Sequence, residues 1–187
     1  MRLWGSANPG WAVAFLGLVS MIAGCGADVS SGAASSGTTL CQNQFETCIS
    51  PIFNRAFQSS SGVNVTCASG GCHEVGAGFG GSFKIYPNAS LGSSDMFANY
   101  LVSKAFANLV SAPDSKLLLE PLAGSSSITG SHTGGDIFPN NSDACYVAIR
   151  NWIANRVDDP ADPVRCLPCS TVQADVDAML ATCGYPP

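Results

Sequence analysis

Apolar positions recur at helical spacing in four stretches of this chain. Cys41, Phe45, Cys48 and Ile52 fall four, seven and eleven positions along, on one helical face. Thr39-Leu40-Cys41-Gln42 ahead of them reads as a capping box, with Thr39 as N-cap. Ser50-Pro51 kinks or restarts this helix, because proline is accepted as a first helical residue. The spacing predicts a second helix from Asp95 to Val110, with Met96, Phe97, Tyr100, Leu101, Phe106 and Leu109 inward and a stop before Ala112-Pro113. Ser142 or Asp143 caps a third, which carries Tyr146, Ile149, Trp152 and Ile153. The last opens at a second capping box, Ser170-Thr171-Val172-Gln173. It puts Val172, Val176, Met179, Leu180 and Cys183 on one side and stops at Gly184 and Pro186. No hairpin or βαβ pattern emerges, so the expected class is all-α.

The N-terminus has a different pattern. Arg2 precedes an uncharged apolar run from Trp11 to Ala23, too short and too abruptly ended for a membrane span. Residues 1–24 therefore read as a signal peptide. Ile22-Ala23-Gly24-Cys25 resembles the bacterial lipoprotein cleavage box, in which Cys25 becomes the lipidated first mature residue; an ordinary signal cut with Cys25 free is the alternative. Gly26 after the cysteine favours the outer membrane by analogy. Residues 25–39, rich in Ser, Gly, Ala and Thr, cannot bury a core and read as a flexible tether. Residues 40–187, about 150 in all, suffice for one domain with its own core, residues 156–187 forming a cysteine-rich C-terminal extension.

Composition narrows the function. Only 11% of residues are charged and the net charge is −5, one unit more acidic once Arg2 is removed. Such a surface disfavours nucleic acid and anionic lipid as partners. Three Asn-x-Ser/Thr triplets, at Asn64, Asn88 and Asn140, carry no weight beside a bacterial lipoprotein signal.

The candidate chemistry lies at Cys67-Ala68-Ser69-Gly70-Gly71-Cys72-His73. Two nearby cysteines with histidine directly after the second is the arrangement that tethers a c-type haem. The thiols form thioethers to the macrocycle, and the histidine becomes the proximal iron ligand. The spacer here has four residues where two are usual. A Cys67–Cys72 disulfide with His73 beside it is the alternative. The chain's only other histidine, His132, sits in the glycine-rich Gly130-Ser131-His132-Thr133-Gly134-Gly135, a loop suited to presenting a distal ligand. Met96 and Met179 are rival ligands, but both fall on apolar helical stripes.

From Ile49-Ser50-Pro51-Ile52-Phe53, through Ser115-Lys116-Leu117-Leu118-Leu119-Glu120-Pro121-Leu122 and His132-Thr133-Gly134-Gly135, to Tyr146 and Trp152-Ile153, the chain resembles a cytochrome c-like domain. Its variety is the one frequent in exported planctomycete and myxobacterial proteins. The departures are the four-residue spacer and Glu74 where glycine often follows the histidine. The resemblance implies a small helical domain around one covalent haem c, with disulfide-stapled N- and C-terminal extensions. It further implies an electron carrier rather than an enzyme, lipid-anchored in the bacterial cell envelope with envelope redox proteins as partners.

Six further cysteines, Cys41, Cys48, Cys145, Cys166, Cys169 and Cys183, suit up to three disulfides. On one straight helix Cys41 and Cys48 stand about 10.5 Å apart along the axis, too far to pair. The crossing of first and closing helices in the resembled domains implies that each reaches the C-terminal group instead. Cys166-Leu167-Pro168-Cys169 is also open to a redox-pair reading, and Cys67, Cys72, Cys166 and Cys169 to a zinc site. A haem-free, disulfide-stapled interaction module remains the alternative to an electron carrier. A peroxidase or sensor fits if His132 does not bind iron.

Overall fold

The computed structural model describes residues 37–58, 62–125, 132, 135–169 and 173–182. All belong to one unit, Gly32–Pro187. The signal peptide, Cys25, the capping residues Ser170 and Thr171, and Cys183 lie outside the described residues.

Strand β1 (Thr39–Leu40) leads into α1 (Gln42–Gln44), a π-helical turn (Phe45–Ile49) and α2 (Ser50–Asn54). Thr39 is thus strand and not a helix cap; Gln42 donates to the Glu46 carboxylate at 2.8 Å. Pro51 has no N–H to return to Thr47, which suits the widened ladder just before it. Phe45, Cys48, Ile49, Ile52 and Phe53 are buried along this segment.

Helix α3 (Ser94–Ala105) is capped by Ser93, whose Oγ accepts from the Met96 N–H at 3.1 Å. It ends short of Val110. Asn108 Oδ1 takes the N–H groups of Val110 and Ser111, and the Asn108 N–H goes to Ser115 Oγ, which offers the backbone a turn in place of helix. The buried face is Met96, Asn99, Tyr100 and Ser103, whereas Phe97 and Leu101 are exposed. Buried Asn99 is satisfied by both backbone groups of Tyr86, at 2.8 and 2.9 Å. A short 3₁₀ turn (Ala112–Asp114) precedes α4 (Lys116–Leu119).

Helix α5 (Ala144–Ala154) is capped by Asp143, which accepts from the Cys145 and Tyr146 N–H groups. Its stripe of Cys145, Tyr146, Ile149, Trp152 and Ile153 is buried. Trp152 meets Phe45 with ring centres 5.3 Å apart and donates from Nε1 to the Cys41 carbonyl at 2.9 Å. Helix α6 (Gln173–Thr182) completes the described chain, with Leu180 buried.

The expected all-α, cytochrome c-like fold around one haem is corrected by the strands. β2 (Phe57–Gln58) and β3 (Asn64–Val65) form an antiparallel hairpin. β4 (Arg156–Val157) returns from the end of α5 to pair antiparallel with β1. The N-terminal edge is further held by Tyr100, whose hydroxyl donates to the Leu40 carbonyl, and by Lys104, which donates to Thr39. Between α2 and α3 the glycine-rich stretch from 66 to 93 is turns and bends, with no helix. Among the described residues no group of three or more His, Cys, Asp or Glu gathers as a metal site. The class is therefore mixed, short helices with two small antiparallel strand pairs.

Two disulfides cross this frame. Cys41 joins Cys166 and Cys48 joins Cys169, with Cα atoms 4.9 and 5.4 Å apart. Cys145 is disulfide-bonded as well. Cys166 and Cys169 are committed to different partners, which rules out both a Cys166–Cys169 redox pair and a zinc site using their thiolates.

Candidate functional site

Residues 66 to 77 fold as successive turns anchored on α2 through the Ala68 N–H, which donates to the Phe53 carbonyl at 3.0 Å. Ser69 ties back to Thr66 through both its N–H and its Oγ. The Cys72 N–H donates to Ser69, and the His73 N–H donates to the Cys67 carbonyl at 2.9 Å. The longer spacer is therefore closed internally, and Cys67, Cys72 and His73 belong to one compact turn. Cys67 and Cys72 are both free thiols. Burial, and to a lesser extent the neighbouring Cys72, pushes the Cys67 thiol up to about 12. In a protein whose Cys41, Cys48, Cys145, Cys166 and Cys169 are oxidised, this close pair is left as thiols.

The segment after the motif wraps His73. Gly80 donates its N–H to the Cys72 carbonyl at 2.7 Å, and Ile85 donates to the His73 carbonyl at 2.7 Å. The Phe83 carbonyl accepts the His73 Nδ1–H at 2.8 Å. The Phe83 ring stands edge-on to the imidazole, centres 5.0 Å apart, and itself contacts Phe53 and Phe106. A Cβ at Gly80 would collide with the imidazole at Nδ1 and Cε1. Gly80→Ala is accordingly expected to displace the ring and to destabilise the haem-free protein by about 1–3 kcal/mol, as overpacking does. Denaturant unfolding of both proteins measures this, and equal midpoints would show that the contact gives way freely.

His132, which follows α4 in the chain, is brought to the same place. Its ring centre lies 5.9 Å from that of His73, with the planes 19° apart. Its Nδ1–H donates to the Gly135 carbonyl at 3.0 Å, while the Gly135 N–H returns to the His132 carbonyl, with Gly135 at φ 90°. That closure needs glycine's left-handed freedom. Each ring thus has a backbone carbonyl acceptor on Nδ1. Backbone acceptors on Nδ1 fix the tautomer that leaves Nε2 without a proton, a tautomer that metal-bound histidines commonly show.

Burial is the main cause holding His73 below its ordinary pKa; backbone hydrogen bonds to Phe83 and Gly80 oppose it, and His132 and Lys84 add to the lowering. The neutral ring, which is the ligating form, therefore persists to lower pH. In the haem-free protein the unfolded state takes up this proton first as pH falls below about 6.5, so the stabilisation is complete above that value. It is lost as pH falls through the folded pKa. Urea unfolding between about pH 7 and pH 5 should show this decline, reduced in His73→Asn. An identical decline in the variant would assign it to other groups.

The donor set fits a haem. Imidazole nitrogens bind first-row metals at about 2.0–2.1 Å, so two rings sharing one ion have centres roughly 6 Å apart. Two protein nitrogens suffice because the macrocycle supplies the rest, whereas a metal held by protein alone needs a larger cluster. Met96 is buried in the core face of α3, and the Met179 side chain lies outside the described residues. Phe83, Gly80 and Lys84 had no motif to announce them; the glycine run from Gly76 to Gly81 was the available signal. Comparisons with protein-family models, curated proteins and solved structures found no match.

Proposed function

We propose that this chain carries one covalently attached haem and transfers electrons in the bacterial cell envelope. Cys67 and Cys72 form the thioethers, His73 is the proximal iron ligand and His132 the distal one. One observation carries the reading: two imidazoles 5.9 Å apart, each with Nδ1–H on a backbone carbonyl, beside two free thiols. A bound haem supplies one-electron chemistry at its iron. The chain's own groups hold and shield it. The carbonyls of Phe83 and Gly135 orient the two rings, and Phe53, Phe83 and Phe106 form an apolar wall that excludes water behind His73. If His73 and His132 both held the iron, oxygen and peroxide would have no open site, which favours an electron carrier over an enzyme.

Expressed in cells competent for cytochrome c maturation, the purified protein should show a Soret band. Its haem should survive denaturation and acid-acetone extraction. A colourless protein contradicts the proposal.

The lipobox supports a lipid anchor at Cys25, which would present the domain to envelope redox partners without a spanning helix. Among the described residues no helix is long and apolar enough to cross a membrane. Cys25→Ser is expected to abolish acylation and move the protein to the soluble fraction, read by fractionation and N-terminal mass analysis. A wild-type protein that is soluble and without lipid would refute the anchor.

A further inference from the structure

We infer that Lys84 sets the reduction potential of the iron at this site, an inference that rests on the haem reading above. Lys84 stands between two residues that clamp the proximal ligand. Phe83 accepts the His73 Nδ1–H, and Ile85 donates to the His73 carbonyl. The Lys84 ammonium folds back and donates to the Gly78 carbonyl, on the arm of the loop that brings Gly80 against the same imidazole. A lysine on a protein surface ordinarily extends its charge into water. This one is tied across the loop that encloses His73, its backbone fixed on one side and its ammonium on the other.

Reduction moves one electron from the donor protein to the iron and removes one positive charge there, with no bond made or broken at Lys84. A cation fixed nearby disfavours the more positive, oxidised iron and so raises the potential. Partial burial limits how far salt screens the effect. In a chain of net charge −5, a positive group held at this point opposes the prevailing field.

The test is potentiometric titration of the haem-loaded protein, followed by absorbance, for wild type, Lys84→Gln, Lys84→Met and Lys84→Arg. Both neutral variants should keep a low-spin spectrum. Each should lower the equilibrium constant for reduction at least about tenfold, equivalent to about 59 mV for a one-electron couple. Lys84→Arg, which retains the charge, should stay within about threefold of wild type. Neutral variants matching wild type, or an arginine variant falling as far as they do, would overturn the role of the charge. A wild type without haem would be seen before any titration and would remove the haem reading itself.

Discussion

Replacing Cys41 and Cys48 together by serine is expected to unfold the protein at 37 °C. Each bridge alone spans a long segment, 125 residues for Cys41–Cys166 and 121 for Cys48–Cys169. In the chain-entropy model a loop near 100 residues contributes about 4.7 kcal/mol. The two are not independent. Once one is closed, the other closes a loop of only about ten residues, worth roughly 2.7 kcal/mol in the same model. Either single loss should therefore cost up to about 3 kcal/mol and leave a folded protein. Losing both should cost up to about 7 kcal/mol, comparable with the whole stability of many domains. The bridges also fasten the α1–α2 segment beneath Trp152, whose Nε1–H depends on the Cys41 carbonyl. Urea unfolding of the singles and the double measures this, and a double variant as stable as either single would refute the shared-loop account.

His132→Ala should have the largest spectroscopic effect. On the proposed ligation by both imidazoles, the haem-loaded wild-type protein should be six-coordinate and low-spin and bind carbon monoxide poorly. Removing His132 takes away a ring whose position is fixed by its own turn to Gly135, so no equivalent donor replaces it. The variant should become five-coordinate or water-ligated, change its absorption spectrum and bind carbon monoxide readily. An unchanged spectrum would mean that another group supplies the distal ligand.

The parts of the fold legible in the sequence were those whose signal is periodic. The stripe Tyr146, Ile149, Trp152 and Ile153, with Ser142 or Asp143 as cap, gave α5 directly, because a capped helix with one apolar face has few competitors; Asp143 is the cap and Cys145 joins the stripe. Helix α3 was legible in its start and in its buried Met96 and Tyr100, but not in the exposure of Phe97 and Leu101 or in its end. Asn99 is buried because Tyr86 satisfies its amide, which turns Phe97 and Leu101 outward, and Asn108 diverts the backbone before Val110. The strands were missed because two-residue pairs leave no alternation to detect, and β1 meets β4 only after the whole chain has folded. At the site, the thiols and histidines were visible as residue types at a spacing. What orients them was not, since the acceptors are backbone carbonyls of Phe83 and Gly135, which any residue possesses. Gly80 was hidden for a related reason: its role is the absence of a side chain beside His73.

Covalent attachment at the turn is the central claim, and peptide mass spectrometry addresses it most directly. Protein matured in cytochrome c-competent cells should be digested, and the peptide containing Cys67 to His73 isolated. The expected result is a peptide heavier by one haem, bound through both Cys67 and Cys72, with Cys41–Cys166 and Cys48–Cys169 recovered as disulfide-linked pairs. A haem-free peptide with Cys67 and Cys72 joined to each other by a disulfide would contradict the account.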